Sequence, residues 1–259
     1  MPPHPRASSL SYRRRVDPRE RFAATVEDYR RFRPDYPEAL IDWIVERCEL
    51  AAGSVVIDVG CGTGIASRQL AARGLAVVGA DPNEAMLEAA RAEGGQRLRW
   101  ALTDAETLDV GLDRADAIVG GQCFHWIDLA RARPRFAELV GPDGPVVAFW
   151  NLRDGSDPFM AGYEALLLEH APEYAKVGAE PRAEAVAAAV DAERQQFDHA
   201  QVLDRAGFFG RVWSSSYVRH GLKDRDAFEA SLGALFDRHA ADGTVRFVYR
   251  TLALRFTPG

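Results

Sequence analysis

Residues 55–64 read VVIDVGCGTG: an apolar run that takes in one acid, then glycines at 60, 62 and 64. A run of this kind suits a strand buried on both faces, and the glycines that follow allow positive φ or close approach of another group to bare main chain. The next residues, IASRQLAAR, carry a helical pattern, so a strand, a glycine turn and a helix are predicted in immediate succession. The same alternation continues through AVVGAD, NEAMLEAARAE, RLRWAL, ADAIVGG, LARARPRFAELV and PVVAFWN, which ends at Asn151. Repeated strand–helix units predict an α/β protein around a parallel sheet, with ligands at the carboxyl ends of its strands.

The flanks read differently. Between residues 20 and 48 two helical segments are separated by RPDYP, because the residue before a proline is pushed out of the α region; 20–50 is expected to form a helical cap. Residues 1–19 are expected to be a disordered or extended tail, and 20–259 a single domain. From 152 to 200 the alternation stops and an Ala-rich stretch, including RAEAVAAAVDAERQQF, predicts a helical lid insertion. Beyond it AQVLDRAGF predicts a helix ended by Gly207, RVWSSSYVRH a strand, DRDAFEASLGALFDRH a helix and TVRFVYRTLALRFT a long closing strand.

Composition excludes several classes. With 259 residues, 47% of them hydrophobic, the chain can bury a sizeable core. No stretch approaches the roughly 18 consecutive apolar residues of a membrane span, and a cytoplasmic protein without membrane contact is expected. Three scattered cysteines argue against a disulfide framework and a metal site. A formal charge of −6 opposes a nucleic-acid-binding face, and no nucleic-acid partner is expected. Oligomeric state is left open.

Glycine spacing discriminates between cofactors. A nicotinamide or flavin fingerprint needs GxGxxG, but counting from Gly60 the sixth position is Ile65. DVGCGTG instead resembles the glycine motif of class I S-adenosylmethionine-dependent methyltransferases, and the likeness covers most of the chain. That resemblance implies a Rossmann-like, seven-stranded, mostly parallel sheet with helices on both faces and an antiparallel last strand. It also implies S-adenosyl-L-methionine as cofactor and S-adenosyl-L-homocysteine as product.

Asp81 ends the second strand, 21 residues after Gly60, where the family places an acid that accepts from both ribose hydroxyls; the alternative is a surface helix cap. Asp104 matches the position that accepts from the adenine amino group, with the Ala105 amide near a ring nitrogen, unless it merely caps the AETL turn. Asp58 either lies near the methionine amine or orders the glycine loop. Cys61, Pro82 and Met86 complete the expected cofactor wall.

YRRFRPDYP (29–37) and QCFHWID (122–128) resemble a small-molecule subgroup that includes trans-aconitate methyltransferase-like proteins. The subgroup resemblance implies an N-terminal segment folded over the cofactor, with Arg33 on the methionine carboxylate, Tyr29 as a wall residue, and Gln122 and Phe124 lining the methionine portion. His125 and Trp126 would meet the methyl acceptor, His125 acting as base or as binding group. Trp150 and Arg153 would stand on the same side, Arg153 either clamping an acidic acceptor or solvating its loop. Tyr163, His170, Tyr174, Tyr217 and His220 are further pocket candidates, none singled out.

The reaction expected is transfer of the sulfonium methyl to an O, N or C atom of a small molecule, such as a carboxylate or natural-product intermediate. Two rivals stand beside it: another reaction of the sulfonium, such as cyclisation releasing methylthioadenosine, and non-catalytic cofactor binding. A nicotinamide dehydrogenase is disfavoured by Ile65.

Overall fold

The computed structural model describes residues 32–172, 174 and 179–259. Residues 1–31, with the predicted tail, the first part of the predicted cap and Tyr29, lie outside the described residues, as do the side chains of Tyr217 and His220.

The central sheet has seven strands in the order β3-β2-β1-β4-β5-β7-β6. Its parallel part is built from β1 (Val55–Val59), β2 (Ala76–Asp81), β3 (Leu98–Leu102), β4 (Ala117–Gly121) and β5 (Val146–Arg153). β7 (Thr244–Phe256) runs antiparallel to both β5 and β6 (Glu193–Asp204), so the last strand in sequence is the one that reverses direction. Helices α1 (Glu38–Arg47), α2 (Ile65–Ala71), α3 (Glu84–Glu93) and α4 (Leu129–Val140) belong to the strand–helix units. Asn83 and Asp128 cap α3 and α4 by accepting from the first-turn amides, which is why those helices begin where they do.

Because β1, β2, β4 and β5 are largely apolar on both faces, the sheet buries one cluster on each side. Leu40, Ile41, Ile44 and Leu70 pack against Val56, Val77 and Phe149. Phe136, Leu139 and Phe124 pack against Ile57, Ile118 and Trp150 on the other. A third cluster joins α5 (Pro158–His170), α7 (Arg205–Trp213) and α9 (Arg225–His239) to the first half of β7 through Phe159, Tyr163, Phe208, Phe228, Phe236 and Phe247. The register pairs Arg153, the end of β5, with Tyr249, so residues 244–248 of β7 and their partners in β6 extend beyond the rim where the parallel strands stop.

Three expectations need correction. The segment RVWSSSYVRH is not a strand: it lies in α7 and the short α8 (Ser216–Gly221). Gly207 does not end a helix but sits in the first turn of α7, where its amide donates to the Asp204 side chain at 2.7 Å. The sixth strand is residues 193–204, of which 193–197 had been read as the end of the Ala-rich helix; α6 (Ala179–Ala189) stops before it. Twelve consecutive pairings with β7 outweigh the helical preference of Glu, Arg and Gln there. No described helix is long and apolar enough to cross a membrane.

Candidate active site

β1 and β4 are sheet neighbours although β2 and β3 lie between them in sequence, so the strand order reverses there and a crevice opens at their carboxyl ends. The glycine loop forms one wall. Its Cys61 amide donates to Ala80 O at 3.1 Å, and the Gly62 amide donates to Asp81 Oδ2 at 2.9 Å. Asp81 Oδ1 accepts from the Asn83 amide at 2.9 Å, so both oxygens of the strand-end acid are set by main chain. Its neighbour Pro82 is exposed.

The glycines serve different ends. Gly62 has φ +56° and a Cβ there would meet nothing within 4 Å: the loop turns bare main chain to open space. Gly64, at φ +80°, has the Trp100 ring in the place of a Cβ, 2.4 Å from it, so its glycine is required by the chain's own packing. Gly60 lies against Cys123 in the same way, and the Cys123 thiol donates to Val59 O at 3.0 Å. Trp100, which covers both Gly64 and Gly79, was not anticipated; its position in β3 directly opposite Gly79 was the available signal.

Asp58 is wholly buried and accepts from the Ser67 hydroxyl at 2.5 Å, tying the strand end to α2; its Oδ1 has no hydrogen-bond partner among the described residues. Burial pushes its carboxyl up to about 7, against the pull of the Ser67 hydrogen bond, and the Asp81 charge adds to the rise. Asp104 Oδ1 accepts from the Thr107 amide at 2.8 Å and from its hydroxyl at 2.7 Å, capping the turn; Ala105 follows, partly buried. Met86 and Phe124 are buried, at 4% and 1% exposure, Phe124 edge-on to Phe136 and Phe256. They back the crevice, because an apolar side chain on the sheet side of its element gains most from burial.

The opposite wall is set by the turn at 124–126. Gln122 takes the left-handed φ of +62° at the end of β4 and its side chain donates to Asn151 O at 3.4 Å. His125 is brought to Trp150, whose indole N–H donates to His125 Nδ1 at 3.2 Å. An indole can only donate, so Nδ1 must be the unprotonated nitrogen and Nε2 carries the proton in the neutral ring. Burial first, and then the Arg182 charge, pull this imidazole down to about 4. Trp126 is 47% exposed, and Arg182 from α6 stands over its ring at 4.6 Å. Sequence gave no signal for Arg182, one arginine in an Ala-rich helix.

The remaining arginines are drawn into the protein. Arg153 pairs with Glu164 at 3.1 Å, donates to the Tyr174 hydroxyl and lies over the rings of Tyr163 and Tyr174. Arg33 Nη2 donates to Ser214 O at 3.2 Å. Buried Arg211 donates to the Tyr249 hydroxyl at 2.9 Å and to Ser215 at 3.2 Å. His170 stands beside the Phe228 ring, in the aromatic cluster. The 32–37 segment crosses the same rim: Tyr36 stands edge-on to Phe149, and the Asn151 side chain donates to Asp35 O at 2.9 Å.

Comparison with known proteins agrees with this arrangement. Residues 56–144 match the family described as a methyltransferase domain. A stretch of 133 residues is 39% identical to an uncharacterized methyltransferase of Mycobacterium tuberculosis, covering 51% of this chain and 53% of that one. A stretch of 105 residues is 39% identical to a trans-aconitate 2-methyltransferase of Methylobacterium radiotolerans, covering 39% of each. The chain thus spans about half the length of the first of these relatives. A provisionally assigned type II methyltransferase from Anaeromyxobacter dehalogenans has the same fold, with a TM-score of 0.70 at 24% identity over 88% of this chain and 98% of that one. Residues 56–144 thus resemble a methyltransferase domain, and the chain shares the fold of that solved structure.

Proposed function

We propose that the protein is a methyltransferase that uses S-adenosyl-L-methionine and a small-molecule acceptor. The observation that carries this reading is the pairing of Gly62 with Asp81: open main chain beside a strand-end carboxylate, joined by one hydrogen bond. A nucleoside cofactor needs both features. Bound there, S-adenosylmethionine would supply an electrophilic methyl group on its sulfonium.

The chain's own residues have a limited task. Asp81 would hold the ribose hydroxyls, Asp104 and the Ala105 amide the adenine edge, and the Gly60–Gly64 main chain the amino-acid portion, with Gln122 on its far side. Asp58 supports this wall from within through Ser67. Positioning of reactants can supply roughly 7–11 kcal/mol of barrier reduction, against about 3–5 kcal/mol from a general base. Orientation therefore suffices for most of the rate.

His125 is assigned a binding role. With Nδ1 engaged by Trp150 and the proton on Nε2, it has a donor to offer an acceptor oxygen and no free lone pair with which to take a proton. An acceptor whose attacking oxygen is already anionic needs no base. The likeness to a trans-aconitate methyltransferase supports the same choice, since that acceptor is a carboxylate.

The test is incubation with methyl-deuterated S-adenosylmethionine and a panel of carboxylic acids, phenols and amines, read by mass spectrometry. A product carrying the intact deuterated methyl, together with S-adenosylhomocysteine, is expected. Release of methylthioadenosine without a methylated product, or no turnover across the panel, would overturn the reading.

A further inference from the structure

Four arginines in the second half of the chain differ in their partners. Arg153 meets Glu164, and Arg211 meets the hydroxyls of Tyr249, Ser214 and Ser215. On α6, Arg194 from the following strand is paired with Glu184. Arg182, two residues before Glu184 on that helix, has a different environment. Among the described residues it makes no ion pair and no hydrogen bond; its recorded contacts are the Trp126 ring at 4.6 Å and the electrostatic influence it exerts on His125.

An aromatic face attracts a cation but carries no compensating charge, so this contact orients the guanidinium without neutralising it. Partial burial disfavours an uncompensated charge, and a planar guanidinium fork is complementary to the two oxygens of an oxyanion. Within the same small volume lies His125, with its Nε2–H as a second donor. Trp126, whose ring joins them, is one of the few large apolar side chains left exposed. A cation without an anion, a neutral N–H donor and an exposed ring form half of an oxyanion site.

We propose that Arg182 determines acceptor specificity: with Trp126 beneath it and His125 beside it, it binds an oxyanion group of the methyl acceptor, a carboxylate or a phosphate. This rests on the methyltransferase reading above. It gives α6 a function, since α6 packs against the 124–126 turn, and Arg182 reaches Trp126 from it. It also explains why no protein base is required, because the group recognised is one that is ionised before it binds.

The test uses the full chain saturated with S-adenosylhomocysteine and calorimetric titration with trans-aconitate, benzoate, phenyl phosphate and the uncharged benzamide. Wild type should bind at least one oxyanion and not benzamide, and the carboxylate and phosphate arms identify which. Arg182→Gln should weaken that binding by about tenfold or more, the loss of one charge-assisted contact, while Arg182→Lys restores part of it. The S-adenosylhomocysteine affinity should stay within about twofold in both variants, and Arg205→Gln, which breaks a surface pair with Asp237, should change nothing. In turnover with the bound oxyanion, KM should rise in Arg182→Gln and kcat change little. Equal oxyanion binding by wild type and Arg182→Gln, or none by a wild type that binds S-adenosylhomocysteine, overturns the proposal. Failure of wild type to bind S-adenosylhomocysteine overturns the cofactor reading instead.

Discussion

The glycine wall and the acceptor wall share one rim, but they are assembled over different distances in the chain. Asp58, Gly62, Ser67, Asp81 and Asn83 all come from one strand–helix–strand unit, and hydrogen bonds within that unit fix them. On the acceptor side, His125 is oriented by Trp150, Trp126 by Arg182, and Asn151 joins Asp35 to Thr251. A local wall can be kept constant while a wall gathered from five distant segments changes with substrate. The difference teaches that cofactor binding and acceptor choice can be altered separately.

That separation can be broken by substitution. The largest effect is expected from Asp81→Ala: affinity for S-adenosylhomocysteine, measured by calorimetry, should fall about 100-fold or more, since two charge-assisted hydrogen bonds to the ribose are lost together with the anchor of the Gly62 amide. His125→Ala should do the opposite, lowering kcat/KM by about tenfold or more, chiefly through a raised KM for the acceptor, with cofactor affinity nearly unchanged. If that variant instead lost the cofactor, the two walls would not be separable.

A glycine pair sharpens the comparison. Gly64→Ala should destabilise the fold by about 2 kcal/mol or more in denaturant titration, because its Cβ would strike Trp100. Gly62→Ala should cost only about 1 kcal/mol of backbone strain yet weaken cofactor binding by about tenfold, its Cβ entering the open space.

Acidity gives smaller effects of known sign. The unfolded chain releases the Asp58 proton near 3.8, but the folded form holds it to about 7. This group's contribution to stability is therefore present below the lower value, declines as pH rises through the window and is lost above about 7. Asp58→Asn, which removes the charge and keeps an acceptor for Ser67, should raise the melting temperature of the free protein at pH 8 by about 5 °C or more beyond its effect at pH 4. His125, held neutral down to about 4, should put no break in kcat/KM between pH 5 and 7; a limb near 6.5 attributable to His125 would contradict its burial.

How much of this was legible follows the same division. The apolar strands, the glycine loop and Asp81 obey rules of a few residues' range, so β1 to β5 and α2 to α4 fall where the pattern predicts. The sixth strand does not, because ERQQF is exposed at the sheet edge and becomes extended only through its pairing with β7. The segment RVWSS carries strand-forming residues but turns helical once Asp204 caps α7 and Phe208 enters the aromatic cluster. Phe124 was placed in the site by its neighbours in sequence; the 3-10 turn that presents His125 sends Phe124 inward. Arg182 could not be found from spacing, since only the packing of α6 gives it Trp126 as a neighbour.

The most direct test of the central claim is a crystal structure with S-adenosylhomocysteine bound. The ligand should lie with its ribose hydroxyls on the Asp81 carboxylate and its homocysteine portion along the Gly60–Gly64 main chain, its sulfur toward His125. A well-ordered ligand bound anywhere else, or a crevice at Gly62 closed by side chains, would contradict the account.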